Sequence, residues 1–217
     1  MSKKEPPNNS SETVAAETAA ATTREIEGFI ADAAGGDYNA IKDFLKIHKS
    51  DADKRNEIGW NALSLAAHYG HRLVVEILLA HGADFNVVDR DIMSALLYAT
   101  RRGYSDVAKL LIDKGANINQ KNKAGWTPLM LAVKNGHAYM VKLLLSQENL
   151  NLDDKNEDGQ TALMLAAWNK HAAIAELLVK AGVDLDITDN TGKTALQLAE
   201  ISDDPALIKL LKAAQKL

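Results

Sequence analysis

Cysteine is absent from the 217-residue chain. That excludes a disulfide framework, a thiolate zinc site and a cysteine nucleophile. No apolar run approaches the roughly 20 residues that span a bilayer, and none follows Lys3 and Lys4 as a signal peptide would require. The expected location is therefore cytoplasmic, with secretion or a periplasmic site left open. Neither charge dominates: 25 Lys and Arg stand against 29 Asp and Glu, a formal net charge of −4. That balance argues against a general nucleic-acid binder. Aromatic residues are scarce at 5%, with three tryptophans, so where those three fall matters. The remaining composition, 47% hydrophobic and 25% charged, is ordinary for a globular protein able to bury a sizeable core.

What the chain does have is one stretch that recurs. Residues 125–137 read Gly-Trp-Thr-Pro-Leu-Met-Leu-Ala-Val-Lys-Asn-Gly-His. Thr127 suits a helix N-cap, because its hydroxyl can accept from an orphan amide of the first turn. Pro128 fits the first helical position. Leu129, Ala132 and Val133 share one face, and Gly136 supplies the positive φ that ends the helix. Two turns are too few to stand alone in water, so the segment has to be stacked. Its copies lead with Leu63, Leu96, Leu129, Leu163 and Leu196, in steps of 33, 33, 34 and 33 residues. Each copy opens on a capping side chain: Asn61, Ser94, Thr127, Thr161 or Thr194. A fixed period near 33 signals a repeat architecture.

Thr127-Pro128-Leu129-Met130-Leu131-Ala132 resembles the Thr-Pro-Leu-His-x-Ala motif of the ankyrin-repeat family, and the resemblance runs over residues 27–217. It implies an all-α solenoid of helix-turn-helix units joined by short hairpin fingers, with about six repeats including two caps.

The expected boundaries follow the period. Residues 1–24 are polar, with Pro6-Pro7, and read as a disordered tail. The repeat domain spans 25–217: an N-terminal cap at 25–55, full repeats at 56–88, 89–121, 122–155 and 156–188, and a C-terminal cap at 189–217, so the array is expected to be complete. Gly35-Gly36 end the first helix and Asp37 caps the second. Second helices are expected to pack through Leu73, Val74, Ile77, Leu78 and Leu79, then through Val107, Leu110 and Leu111, then through Tyr139, Met140, Leu143 and Leu144. Gly82, Gly115 and Gly182 close three of them. The segment 146–149 has no glycine and one extra residue, and Asn149 is expected to take the left-handed position there. His48-Lys49-Ser50 shows the same loss of glycine. Ile92 stands where the other fingers carry glycine, which predicts a strained or reshaped turn.

Motifs with chemical potential dissolve into the repeat. Gly192-Lys193-Thr194 lacks the second glycine of a phosphate loop, since Ile187 holds that place. Residues 154–159 match the first half of a calcium loop, but Leu165 stands at the bidentate position. Asn8 and Asn9 head glycosylation sequons in a tail with no secretion signal. His71, His137 and His171 recur once per unit, and Tyr104 and Asp204 replace them elsewhere, which a metal-ligand set would not tolerate. In the family an imidazole there bonds the backbone of adjacent turns. No Gly-x-Ser-x-Gly or His-Glu-x-x-His signature is present. The expectation is no enzyme, no catalytic residue, no metal and no cofactor.

The resemblance implies a partner surface on the concave side, formed by the fingers and the exposed ends of first helices. Carried onto this chain it selects Trp60, Arg90, Met93, Lys123, Trp126 and Gln160 on fingers. It also selects His68, Tyr69, Arg101, Arg102, Lys134, Asn135, Trp168 and Asn169 at helix ends. All three tryptophans fall on these positions. Exposed Trp, Tyr and Arg dominate interface energies, although Trp60 and Trp126 packed against neighbouring fingers would serve the array instead. Between Arg101 and Lys142 eight bases face two acids, while between Glu148 and Asp204 twelve acids face four bases. Such a division either steers an acidic partner to the middle or keeps charged faces soluble. The functional expectation is a monomeric protein-interaction module, an adaptor, inhibitor or regulator with a protein partner and no membrane. The alternative is a regulatory subunit, or a small-ligand or nucleic-acid binder using the basic middle.

Overall fold

The computed structural model describes residues 10–48 and 51–215. Twelve helices follow one another there, with two isolated antiparallel bridges, Arg55 to Asn61 and Val88 to Ser94, at the bases of the first two fingers. They are α1 (Ser10–Gly35), α2 (Tyr38–Ile47), α3 (Ala62–Tyr69), α4 (Arg72–Ala80), α5 (Ala95–Arg102) and α6 (Ser105–Asp113). Then come α7 (Pro128–Lys134), α8 (Ala138–Leu145), α9 (Ala162–Trp168), α10 (Ala172–Lys180), α11 (Ala195–Ile201) and α12 (Pro205–Ala214).

The odd-numbered helices pack in sequence as an inner row, α1 on α3 through to α9 on α11. The even-numbered helices form an outer row, α2 on α4 through to α10 on α12. Each unit thus contacts its neighbours in both rows, the arrangement of a solenoid. A continuous apolar core runs between the rows from Phe29 to Leu211. Helices of seven to ten residues persist because this contact, not intrinsic propensity, holds them.

The five anticipated caps all form. The side chains of Asn61, Ser94, Thr127, Thr161 and Thr194 accept from the backbone N–H three residues on. Asp37 caps α2 and Asp204 caps α12 in the same manner. Gly36, Gly136, Gly82, Gly115 and Gly182 all have positive φ.

Four expectations change. Helix α1 starts at Ser10, so residues 10–24 are helical where a disordered tail was expected. No Gly or Pro falls between Ser10 and Thr23, and alanine, the strongest helix former, recurs through it. Residues 1–9, with the sequons at Asn8 and Asn9, lie outside the described residues, as do Lys49 and Ser50. Asn149 is not left-handed; the extra residue spreads the turn so that no residue from 146 to 149 has positive φ. Leu73 and Tyr139 do not pack in the outer row but face solvent, since the buried stripes run through Val74, Val75 and Leu78 and through Met140, Val141 and Leu144.

Candidate partner-binding surface

Every finger is built around one side-chain oxygen. Oδ1 of Asn56, Asp89, Asn122, Asn156 and Asp189 accepts the backbone N–H four residues on, from Trp60, Met93, Trp126, Gln160 and Lys193. A short polar side chain that bonds its own backbone is what makes Asn and Asp turn residues. Successive fingers then bond each other. Lys123 N donates to Asp91 O at 2.9 Å, Glu157 N to Ala124 O at 3.2 Å and Asn190 N to Asp158 O at 3.1 Å. Asn156 Oδ1, which accepts from Asp158 N and Gln160 N, is thereby committed to the finger.

Ile92 adopts φ 58°, the left-handed turn that Gly59, Gly125, Gly159 and Gly192 adopt in the other fingers. The turn keeps its shape and a β-branched residue bears the strain. Two bonds hold it. Asp89 Oδ1 accepts from Asp91 N and Met93 N, and Asp89 Oδ2 accepts from the Tyr98 hydroxyl. Burial, then the bond to Asp89, push the Tyr98 phenol far above its ordinary value, so it remains a donor.

The predicted surface residues separate into three groups. Two are corrected outright. Met93 is 3% exposed and His68 6%, so neither offers a partner its side chain. Met93 joins Leu97, Tyr98 and Leu131 in a second small core, closed by half-buried Trp60 and Trp126. His68 sits among rings, 5.5 Å from Trp60, 5.1 Å from Tyr98 and 4.8 Å from Tyr69.

A second group is surface-accessible but engaged. Asn135 and Asn169 donate from Nδ2 to Leu131 O and Leu165 O, both at 2.8 Å, closing their own helices. Gln160 Oε1 accepts from Asn156 Nδ2, and the Arg90 guanidinium lies on Glu57 O.

The third group presents side chains outward: Tyr69, Arg101, Arg102, Lys123, Lys134 and Trp168. Trp168 is 53% exposed at the end of α9. Beside it is a hollow of about 340 Å³ lined by Gln160, Asp189, Thr191, Lys193, Leu198 and Ile201. The cations are oriented by uncharged groups. Arg101 lies 5.3 Å from the Tyr98 ring centre and Lys134 Nζ 4.4 Å from that of Trp126. The Arg102 guanidinium donates to His68 Nε2 at 2.8 Å. Desolvation first, then Arg102 and Arg101, hold the His68 imidazole below its usual value, so it stays neutral and keeps Nε2 as an acceptor.

A family model described as ankyrin repeats (3 copies) matches residues 29–122, 116–189 and 149–216. The chain belongs to the ankyrin-repeat family. Among solved structures it is similar to an ankyrin repeat domain from Acinetobacter baumannii, with a TM-score of 0.80 and 31% identity over 87% of this chain and 97% of that one. No curated protein matches the chain. Ankyrin repeats are generally protein–protein interaction modules, and their proteins are typically non-enzymatic.

The recurrent histidines take the family's backbone role where their bonds are seen. His71 Nε2 bonds Ala34 O at 2.8 Å and His137 Nε2 bonds Arg101 O at 3.2 Å, each on the preceding ankyrin unit. Two features escaped the sequence. The Tyr98–Asp89 bond had one signal, a tyrosine where the other copies carry leucine at 65, 131, 165 and 198. The burial of His68 had none, because it depends on rings from its own finger, its own helix and the next inner helix.

Proposed function

We propose that this ankyrin-repeat protein is a non-enzymatic adaptor, inhibitor or regulator that captures a protein partner on its finger and inner-helix face. One observation supports that face above the rest: Trp168, more than half exposed at the end of an inner helix, beside an open hollow floored by buried Leu198 and bordered by exposed Ile201. Such a ring costs free energy in water and regains it when a partner desolvates it. Trp60 and Trp126 are half covered by Met93, Leu97, Tyr98 and Leu131 and chiefly stiffen the platform. Stacked fingers joined by backbone bonds present this surface ready-made, which lowers the ordering cost of binding.

The test is capture from native lysate by the intact protein, Trp168→Ala and Tyr139→Ala. Tyr139 is 73% exposed in the outer row and serves as the matched control. Trp168→Ala should reduce recovery of the specific partner about tenfold with little change in melting temperature. Tyr139→Ala should leave recovery intact. Loss with Tyr139→Ala and none with Trp168→Ala would put the interface on the opposite row.

A further inference from the structure

Several bases of the outer row are neutralised within their own helices: Arg72 by Glu76, Lys109 by Asp113 and Lys180 by Glu176, each at i,i+4. The cations at the ends of α5 and α7 differ. Arg101, Arg102 and Lys134 are each steadied by a neutral ring, Tyr98, His68 and Trp126 respectively. No ion pair among the described residues includes them, or Lys123 on the adjoining finger. Orientation without neutralisation leaves positive charge gathered on one face. The outer-row arrangement shows that the chain readily pairs bases with acids elsewhere.

We infer that Arg101, Arg102, Lys123 and Lys134 seat an acidic segment of the protein partner. The inference rests on the reading that the finger face is the interface. Arg101 and Lys123 line an open hollow of about 380 Å³, together with Met93, Asn122, Ala124 and two acids, Asp91 and Glu157. A single carboxylate side chain fits such a space and accepts charge-assisted bonds from both bases. Asp91 and Glu157 set its register, because negative charge placed toward either one is repelled. Already oriented by Tyr98, Arg101 loses little further freedom on binding. The same two acids disfavour a nucleic acid. A polyphosphate following the fingers past Lys123 meets Glu157 and Asp158, then the C-terminal third in which twelve acids face four bases. A short acidic peptide can end its charged part before that stretch and lay only an apolar side chain on Trp168 within it.

The experiment selects from a randomised 12-residue peptide library on the intact chain. Selected peptides are then titrated against the chain and against R101E/R102E, K123E and W168A. K123E keeps the test valid if the double reversal unfolds, since the Lys123 side chain is exposed and makes no side-chain bond among the described residues. The expected result is enrichment in Asp and Glu, affinity about tenfold lower for each charge reversal, and weakening as salt rises. Peptides without acidic enrichment that still lose affinity to W168A would overturn the acidic seat and leave the finger-face reading standing. Peptides indifferent to every variant would overturn both. Should selection yield nothing, hexaglutamate is titrated by NMR, and absence of shifts at Arg101 and Lys123 overturns the seat. So does tighter binding of a dodecathymidine oligonucleotide than of any acidic peptide.

Discussion

At the ends of four inner helices a ring from the following unit lies over a glycine. His71 covers Gly36, Tyr104 covers Gly70, His137 covers Gly103 and His171 covers Gly136. A Cβ on Gly70 would stand 2.6 Å from Tyr104 Cδ1, and one on Gly103 2.8 Å from His137 Cε1. The fifth place shows the rule by its exception: the next unit carries Asp204 in place of a ring, and Lys170 takes the left-handed turn at φ 58°. Glycine and ring are thus one device, although the sequence shows them as two separate periodic features. Gly103→Ala combines a clash with a left-handed backbone and should cost about 2 kcal/mol or more in denaturant unfolding. Ile92→Gly should do the reverse and stabilise by at most about 1 kcal/mol, because relief of the left-handed strain outweighs the lost contacts of a partly covered side chain and the greater unfolded-state freedom of glycine. A neutral Gly103→Ala would show that the ring contact is loose. His68 gives a pH signature. Its folded pKa is depressed, so the unfolded chain binds the proton first as pH falls. Stability is fully present above about pH 6.5 and is lost as pH falls from there toward the folded value. His68→Gln keeps an acceptor for Arg102 without titrating, so its melting temperature should fall less between pH 7.5 and 5 than that of the parent.

At the scale of elements, each inner helix from α3 to α11 combines a cap, a buried stripe and a finger fixed by an Asx oxygen. Most of this was legible. The capping residues and closing glycines act through bonds a few residues long, which a linear pattern records. The start of α1 and the turn at 146–149 were not. In the first, helix propensity outweighed a polar composition; in the second, an added residue removed the need for a left-handed conformation. Burial was the least legible property. The position of His68 is an exposed helix end in the repeat pattern, and Trp60, Tyr69 and Tyr98 cover it only because these particular copies carry large rings. Tyr98 also anchors the strained finger through Asp89. Tyr98→Phe keeps the ring under Arg101 and deletes one bond to a carboxylate. It should cost about 1.5–3 kcal/mol in chemical denaturation. An unchanged midpoint would mean that Asp89 holds the turn through its backbone contacts alone.

Across the whole molecule, two rows of helices divide the labour. The apolar core lies between them, the outer row carries several internal ion pairs, and the finger side holds oriented cations and Trp168. The candidate surface was half legible at this scale. The repeat pattern named Arg101, Arg102, Lys123, Lys134 and Trp168, whose side chains point outward, yet it included Met93 and His68, which the array consumes. Which face a partner covers is the central claim, and hydrogen–deuterium exchange of the chain with and without its captured partner tests it most directly. The account predicts slowed exchange in the fingers and at the ends of α5, α7 and α9, with α4, α6 and α8 unchanged. Protection confined to the outer row, with the peptides containing Arg101 and Trp168 exchanging as in the free chain, would contradict it.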